Sequence, residues 1–99
     1  MAKCKITVLK RTINQDLVGE YMKDKVAPCD LFKEGQEFIL EAPWAPPPGF
    51  CTWAWADLRS FIYAVMMGAE FPWSKRPDIA LGCCTDGARP VIFKIERVE

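Results

Sequence analysis

Between Lys3 and Arg11 apolar and polar residues alternate, with Cys4, Ile6 and Val8 on one side and Lys5, Thr7, Leu9 and Arg11 on the other. A period of two is that of an extended chain with one covered face, so this segment is expected to be a half-buried strand. Asn14 is a suitable N-cap for a short helix through Asp16, Leu17, Val18, Glu20, Tyr21 and Met22, although Gly19 weakens it by roughly 1 kcal/mol relative to alanine. Ala27-Pro28-Cys29-Asp30 reads as a turn, because Pro28 restricts the residue before it and Asp30 can bond its own backbone. A second strand is expected over Glu37 to Leu40, after the break at Gly35.

Ala42-Pro43-Trp44-Ala45-Pro46-Pro47-Pro48-Gly49 excludes helix and central strand and predicts a stiff, extended loop. Thr52 is then placed to cap a long helix from Trp53 to Met67. Ala54, Trp55, Leu58, Phe61, Ile62, Val65 and Met66 recur along it at three- and four-residue steps, the spacing of one buried helical face. Asp57 is assigned to its first turn and Gly68 to the position just past its end. Two more strands follow, Ile79 to Cys84 and Val91 to Val98, separated by Thr85-Asp86-Gly87-Ala88-Arg89-Pro90 with its Asp-Gly turn signal. The order β-α-β-α-β-β predicts a small α+β single domain over residues 1–99, with one mixed sheet packed on the long helix and a C-terminal β-hairpin.

Composition narrows what such a domain can do. The 99 residues are 51% hydrophobic, enough for one core. Thirteen Lys and Arg balance thirteen Asp and Glu, so the cationic surplus of a general nucleic-acid binder is missing. No histidine is present, which excludes Ser-His-Asp and Cys-His catalytic pairs and imidazole metal ligands. The start, Met1-Ala2-Lys3-Cys4-Lys5, lacks the apolar core of a signal peptide, and the apolar run from Trp53 to Met67 is too short and too charged to span a bilayer. A soluble cytoplasmic protein with no membrane partner is expected. Its five cysteines should then be reduced rather than paired in a disulfide framework.

Those cysteines divide by position. Cys4 lies mid-strand on an apolar face and reads as core filling. Cys29 follows a proline turn, Cys51 precedes the long helix, and Cys83 and Cys84 end a strand. These are places where a fold can bring groups together from separate elements. A helix start favours the thiolate form at Cys51. In a regular strand Cys83 and Cys84 point to opposite faces, so both serve one centre only if the backbone turns between them. Thiolates without imidazole select zinc, Cu(I) or iron–sulfur clusters, yet no CxxC spacing is present. The residues therefore leave three readings open: buried small hydrophobes, a metal or cluster site, and a reactive thiol. Trp44, Phe50, Trp53, Trp55, Phe71 and Trp73 flank the helix and are candidates for a pocket lining, an oligomer interface or a lid over the core.

Gly49-Phe50-Cys51-Thr52-Trp53-Ala54 and Cys83-Cys84-Thr85-Asp86-Gly87, together with Pro28-Cys29, Phe71-Pro72-Trp73 and Arg89-Pro90-Val91, resemble a family of small prokaryotic cysteine-containing proteins of unknown function. The resemblance covers almost the whole chain. It implies that Cys29, Cys51, Cys83 and Cys84 belong to a shared motif and that Cys4 need not. The leading expectation is that these four hold an iron–sulfur cluster or zinc, with Asp86, Arg89, Trp53 and Trp73 around the sulfurs. The alternative is a thiol-dependent enzyme or redox protein with Cys51 or Cys84 as the reactive thiolate and Asp86 as its polar partner. A structural module forming a homo-oligomer through its Trp/Pro-rich loops is the third.

Overall fold

The computed structural model describes residues 1–98. Its elements are β1 (Cys4–Arg11), α1 (Gln15–Tyr21), β2 (Glu37–Leu40), α2 (Thr52–Met66), β3 (Ile79–Cys83) and β4 (Val91–Arg97). The α+β class, the element order and the β3–β4 hairpin are those expected. The sheet runs β2-β1-β4-β3 and is antiparallel at every pairing, not mixed. The reason lies in the segment after β1. It leaves and re-enters at the same end of the sheet, so Thr7 faces Glu37 and Cys4 faces Leu40; a parallel neighbour would need a crossover to the other end. Gly35 and Gln36 extend this pairing through Gly35 N–H to Val8 O at 2.7 Å and Val8 N–H to Gln36 O at 2.9 Å. Leu9 is the extra residue of a bulge between β1 and β4.

The alternation in β1 decides its burial. Cys4, Ile6 and Val8 join Val91, Phe93 and Ile95 of β4 and Ala80 of β3 on the covered face. Against them α2 lays Ala54, Trp55, Leu58, Ile62, Val65 and Met66. The helix begins one residue earlier than its pattern suggests: Cys51 is the N-cap and Thr52 the first helical residue, which puts Asp57 in the second turn. Its other end closes as a Schellman motif. Gly68 takes φ +89°, its N–H donates to Val65 O at 3.2 Å, and Ala69 N–H reaches Ala64 O at 2.9 Å. Arg97 adds Nη1–H to Val65 O at 2.6 Å, a cation at the negative end of the helix dipole.

Gly82 sets how closely α2 can approach. A Cβ at that position would overlap Leu58 Cδ2, and Leu58 is fully buried, so it has no free space to turn into. Gly82→Ala is therefore expected to destabilise the protein by about 1–3 kcal/mol, the usual penalty for overpacking. Urea unfolding would measure it; a neutral result would mean that the helix slides away at no cost.

The end of the core near the N-terminus of α2 is aromatic. Phe32 packs edge-on against Phe93, Phe50 and Phe38 at centroid distances of 5.2, 5.1 and 6.0 Å. Phe32 and Phe50 come from the two long loops, so this cluster fixes both loops over the sheet. Of the six aromatic residues flanking the helix, Phe50, Trp55 and Phe71 are buried, whereas Trp44, Trp53 and Trp73 are exposed. Among the described residues no helix is long and apolar enough to cross a membrane.

Candidate functional site

Cys29, Cys51 and Cys84 line one cavity of about 470 Å³, with Phe32, Trp53, Ala54 and Val91 among its walls and Thr85, Asp86, Gly87 and Arg89 along its polar side. Three segments far apart in the chain supply the three sulfurs. Cys29 is held through its carbonyl, which accepts Arg11 Nη1–H at 2.9 Å while Arg11 also pairs with Glu34 at 3.2 Å. The end of β1 thus anchors the proline turn that carries this cysteine. Cys51 is placed by the aromatic packing of Phe50 and by the helix, since Trp55 N–H donates to Cys51 O at 2.9 Å. Its side chain makes no capping bond to the helix backbone, and the first-turn N–H groups lack intrahelical acceptors, as at any helix start. Cys84 continues the β3–β4 ladder with its N–H on Val91 O at 3.1 Å. Its Sγ accepts Val91 N–H at 3.3 Å.

The fourth cysteine of the expected set is elsewhere. Cys83 is exposed, does not line the cavity, and donates its thiol to Cys84 O at 3.1 Å. No turn intervenes between the two residues, so strand alternation sends their side chains apart. Partial burial, then Cys84 and Asp57, push the Cys83 thiol above its ordinary pKa, which keeps it protonated and slow. Cys4 is core, as its place in β1 predicts. It is fully buried, and burial, reinforced by Glu96, pushes its thiol up to about 12.

Four groups were expected around the sulfurs. Trp53, Asp86 and Arg89 line the cavity; Trp73 does not. Trp73 packs on Phe71 at 5.7 Å and borders a separate hollow with Arg76, Ile79 and Leu81. The loop that carries it returns along the far edge of the sheet instead of over the helix start. Asp86 is mainly a loop brace. Its Oδ1 accepts the N–H groups of Ala88 and Arg89 at 3.0 and 3.2 Å, and its Oδ2 accepts Arg89 Nε–H at 3.4 Å.

One constellation is visible only in three dimensions. Asp57 Oδ2 accepts Thr85 N–H at 2.7 Å and the Thr85 hydroxyl at 3.0 Å, and that hydroxyl accepts Trp53 Nε1–H at 2.6 Å. Trp53 and Asp57 are four residues apart on one helix face, a spacing that marks them as neighbours without revealing Thr85 as their partner. From the opposite side Asn14 Nδ2–H reaches Gly87 O at 2.7 Å and the Thr12 hydroxyl reaches Pro90 O at 3.1 Å. The loop bearing Cys84 is clamped on both flanks, so its sulfur has a defined position.

A four-sulfur zinc or cluster site needs four converging thiolates. Here Cys83 diverges, and among the described residues no group of three or more Cys, Asp and Glu is gathered closely enough to hold a metal ion. The donor set in this geometry therefore does not fit that metal centre. Comparison with protein-family models, curated proteins and solved structures gives no match, so the assignment of the site rests on its geometry.

Proposed function

We propose that this protein works through cysteine sulfur. In this reading the cavity takes a small, partly apolar ligand with a thiol-seeking, electrophilic centre, and Cys51 is the residue that meets it. The single observation behind the proposal is the convergence of Cys29, Cys51 and Cys84 on one cavity. Cys51 is favoured over Cys84 because it stands uncapped at the start of a fifteen-residue helix, whose field favours negative charge. A reducing cytoplasmic setting would keep the three thiols free.

Iodoacetamide tests this. On alkylation the S–C bond forms, the C–I bond breaks, iodide leaves with the bonding pair, and the thiol proton passes to buffer. In the native protein Cys51 is expected to react at least about tenfold faster than Cys83, despite the greater exposure of Cys83, because partial burial, Cys84 and Asp57 raise the Cys83 thiol. Peptide mass mapping reads the order. Fastest labelling at Cys83, or uniformly slow labelling, would overturn the assignment.

The N–H···S bond at Cys84 favours one second reading, since backbone donors of this kind also support ligating sulfurs. A soft metal ion or iron–sulfur cluster on Cys29, Cys51 and Cys84 would require the loops to draw together. Anaerobic purification followed by a visible spectrum and metal analysis decides it. A colourless, metal-free protein with freely titrating thiols sinks this second reading and leaves the first.

A further inference from the structure

Strands β2 and β3 are the two edges of the sheet, and they are finished differently. Glu37 and Glu41 bracket β2, and Pro43 follows it. Charges and proline are the usual means of keeping an edge from pairing with another chain. Strand β3, Ile79-Ala80-Leu81-Gly82-Cys83, carries neither within its span; Pro77 and Asp78 guard only the end before Ile79. Cys84 N–H to Val91 O and Arg97 N–H to Asp78 O, at 3.1 and 3.4 Å, fix the ladder alternation. Residues 78, 80, 82 and 84 therefore turn their backbone groups to β4, and Ile79, Leu81 and Cys83 turn theirs outward. Those of Ile79 are used internally: its N–H donates to Arg76 O at 3.2 Å, and its carbonyl accepts Ser74 Oγ–H at 2.8 Å. Leu81 and Cys83 are left, each with one outward N–H and one outward C=O that meet no protein partner among the described residues. Leu81 is 61% exposed and Trp73 beside it 77% exposed.

We propose that β3 is a dimer strand. Two copies pair antiparallel about a two-fold axis at Gly82, which joins their sheets edge to edge. In that register Leu81 lies opposite Cys83 of the second copy, and Cys83 opposite its Leu81. Each pair exchanges both of its N–H···O bonds, so every outward group of both chains is satisfied. An axis at Leu81 would instead set Cys83 against Ile79, whose groups are already taken. The occupant is a second copy because this register closes on itself. No charge in the paired strands opposes it, and the chain has zero net charge, which removes long-range repulsion between copies. The inference is independent of the sulfur chemistry proposed above. It also gives Cys83, which the cavity does not use, a place at the interface.

Sedimentation equilibrium over a concentration series is expected to show a reversible dimer; a monomer up to the solubility limit would overturn the proposal. Leu81→Lys sets a charge on the edge and is expected to weaken association at least about 100-fold while leaving the thermal midpoint of the dilute, monomeric protein unchanged, because Leu81 is exposed in the monomer. A dimer unaffected by Leu81→Lys would place the interface elsewhere. Register is read by Leu81→Cys with diamide, which takes two electrons and two protons from the paired thiols. Hydrogen-bonded partners have Cα atoms about 5.5 Å apart, within the disulfide range. The expected product is a covalent dimer bridged between position 81 and Cys83 and lost in Leu81→Cys/Cys83→Ser. A bridge joining the two copies of position 81 would refute the Gly82 axis.

Discussion

Phe93→Ala is expected to lower the unfolding free energy by about 3–5 kcal/mol, the cost of removing a fully buried aromatic side chain. Phe93 has no exposed surface. Its ring meets Phe32 at 5.2 Å and Phe50 at 5.9 Å, so the cavity left behind opens beneath both loops that carry site cysteines. Domains of this size have total stabilities of about 5–15 kcal/mol, and such a loss is a large part of it. Urea unfolding gives the magnitude. Iodoacetamide labelling gives the second consequence: Cys29 and Cys51 should lose their distinct native rates, while Cys84, held by the Thr85–Asp57 clamp, changes least. A loss below about 1 kcal/mol would show that the aromatic cluster is not what supports the loops.

The second large effect concerns Cys4 and pH. The folded thiol is pushed up to about 12 from its ordinary value of 9.0. As pH rises, the unfolded chain therefore loses this proton first. The contribution is complete below pH 9 and is lost between pH 9 and 12, at about 1.4 kcal/mol per pH unit. Lysines and tyrosines titrate in the same window, so the informative quantity is the difference from Cys4→Val, whose stability should fall less steeply with pH. Equal slopes would refute the shift. The same displacement leaves Cys4 with far less thiolate than an ordinary thiol below pH 9. Native labelling at Cys4 should be much slower than at the exposed cysteine, and denaturation should restore it. Rapid native labelling would mean that β1 opens readily at its start.

Much of the architecture could be read from the chain, for a local reason. A period of two in Cys4–Val8 and a three-to-four-residue recurrence from Ala54 to Met66 follow from backbone geometry within each element, and both faces are buried as expected except at Phe61, which is half-buried at the core's margin. The same alternation separated Cys4 from the other cysteines. Helix ends were less exact: with Cys51 itself at the N-cap, the cysteine is part of the helix start instead of preceding it. Trp73 is close to the helix in sequence, yet its loop turns to the far edge of the sheet.

The sequence by itself determined the elements, their buried faces and the core role of Cys4, because each of these follows from residue type and short-range spacing. Tertiary structure alone decided that the sheet is antiparallel throughout, that Cys29, Cys51 and Cys84 line one cavity while Cys83 turns away, and that Thr85 is clamped by Trp53 and Asp57. These depend on where long loops return, and a return path is set by packing between residues such as Phe32 and Phe93, 61 positions apart in the chain, which no local pattern encodes.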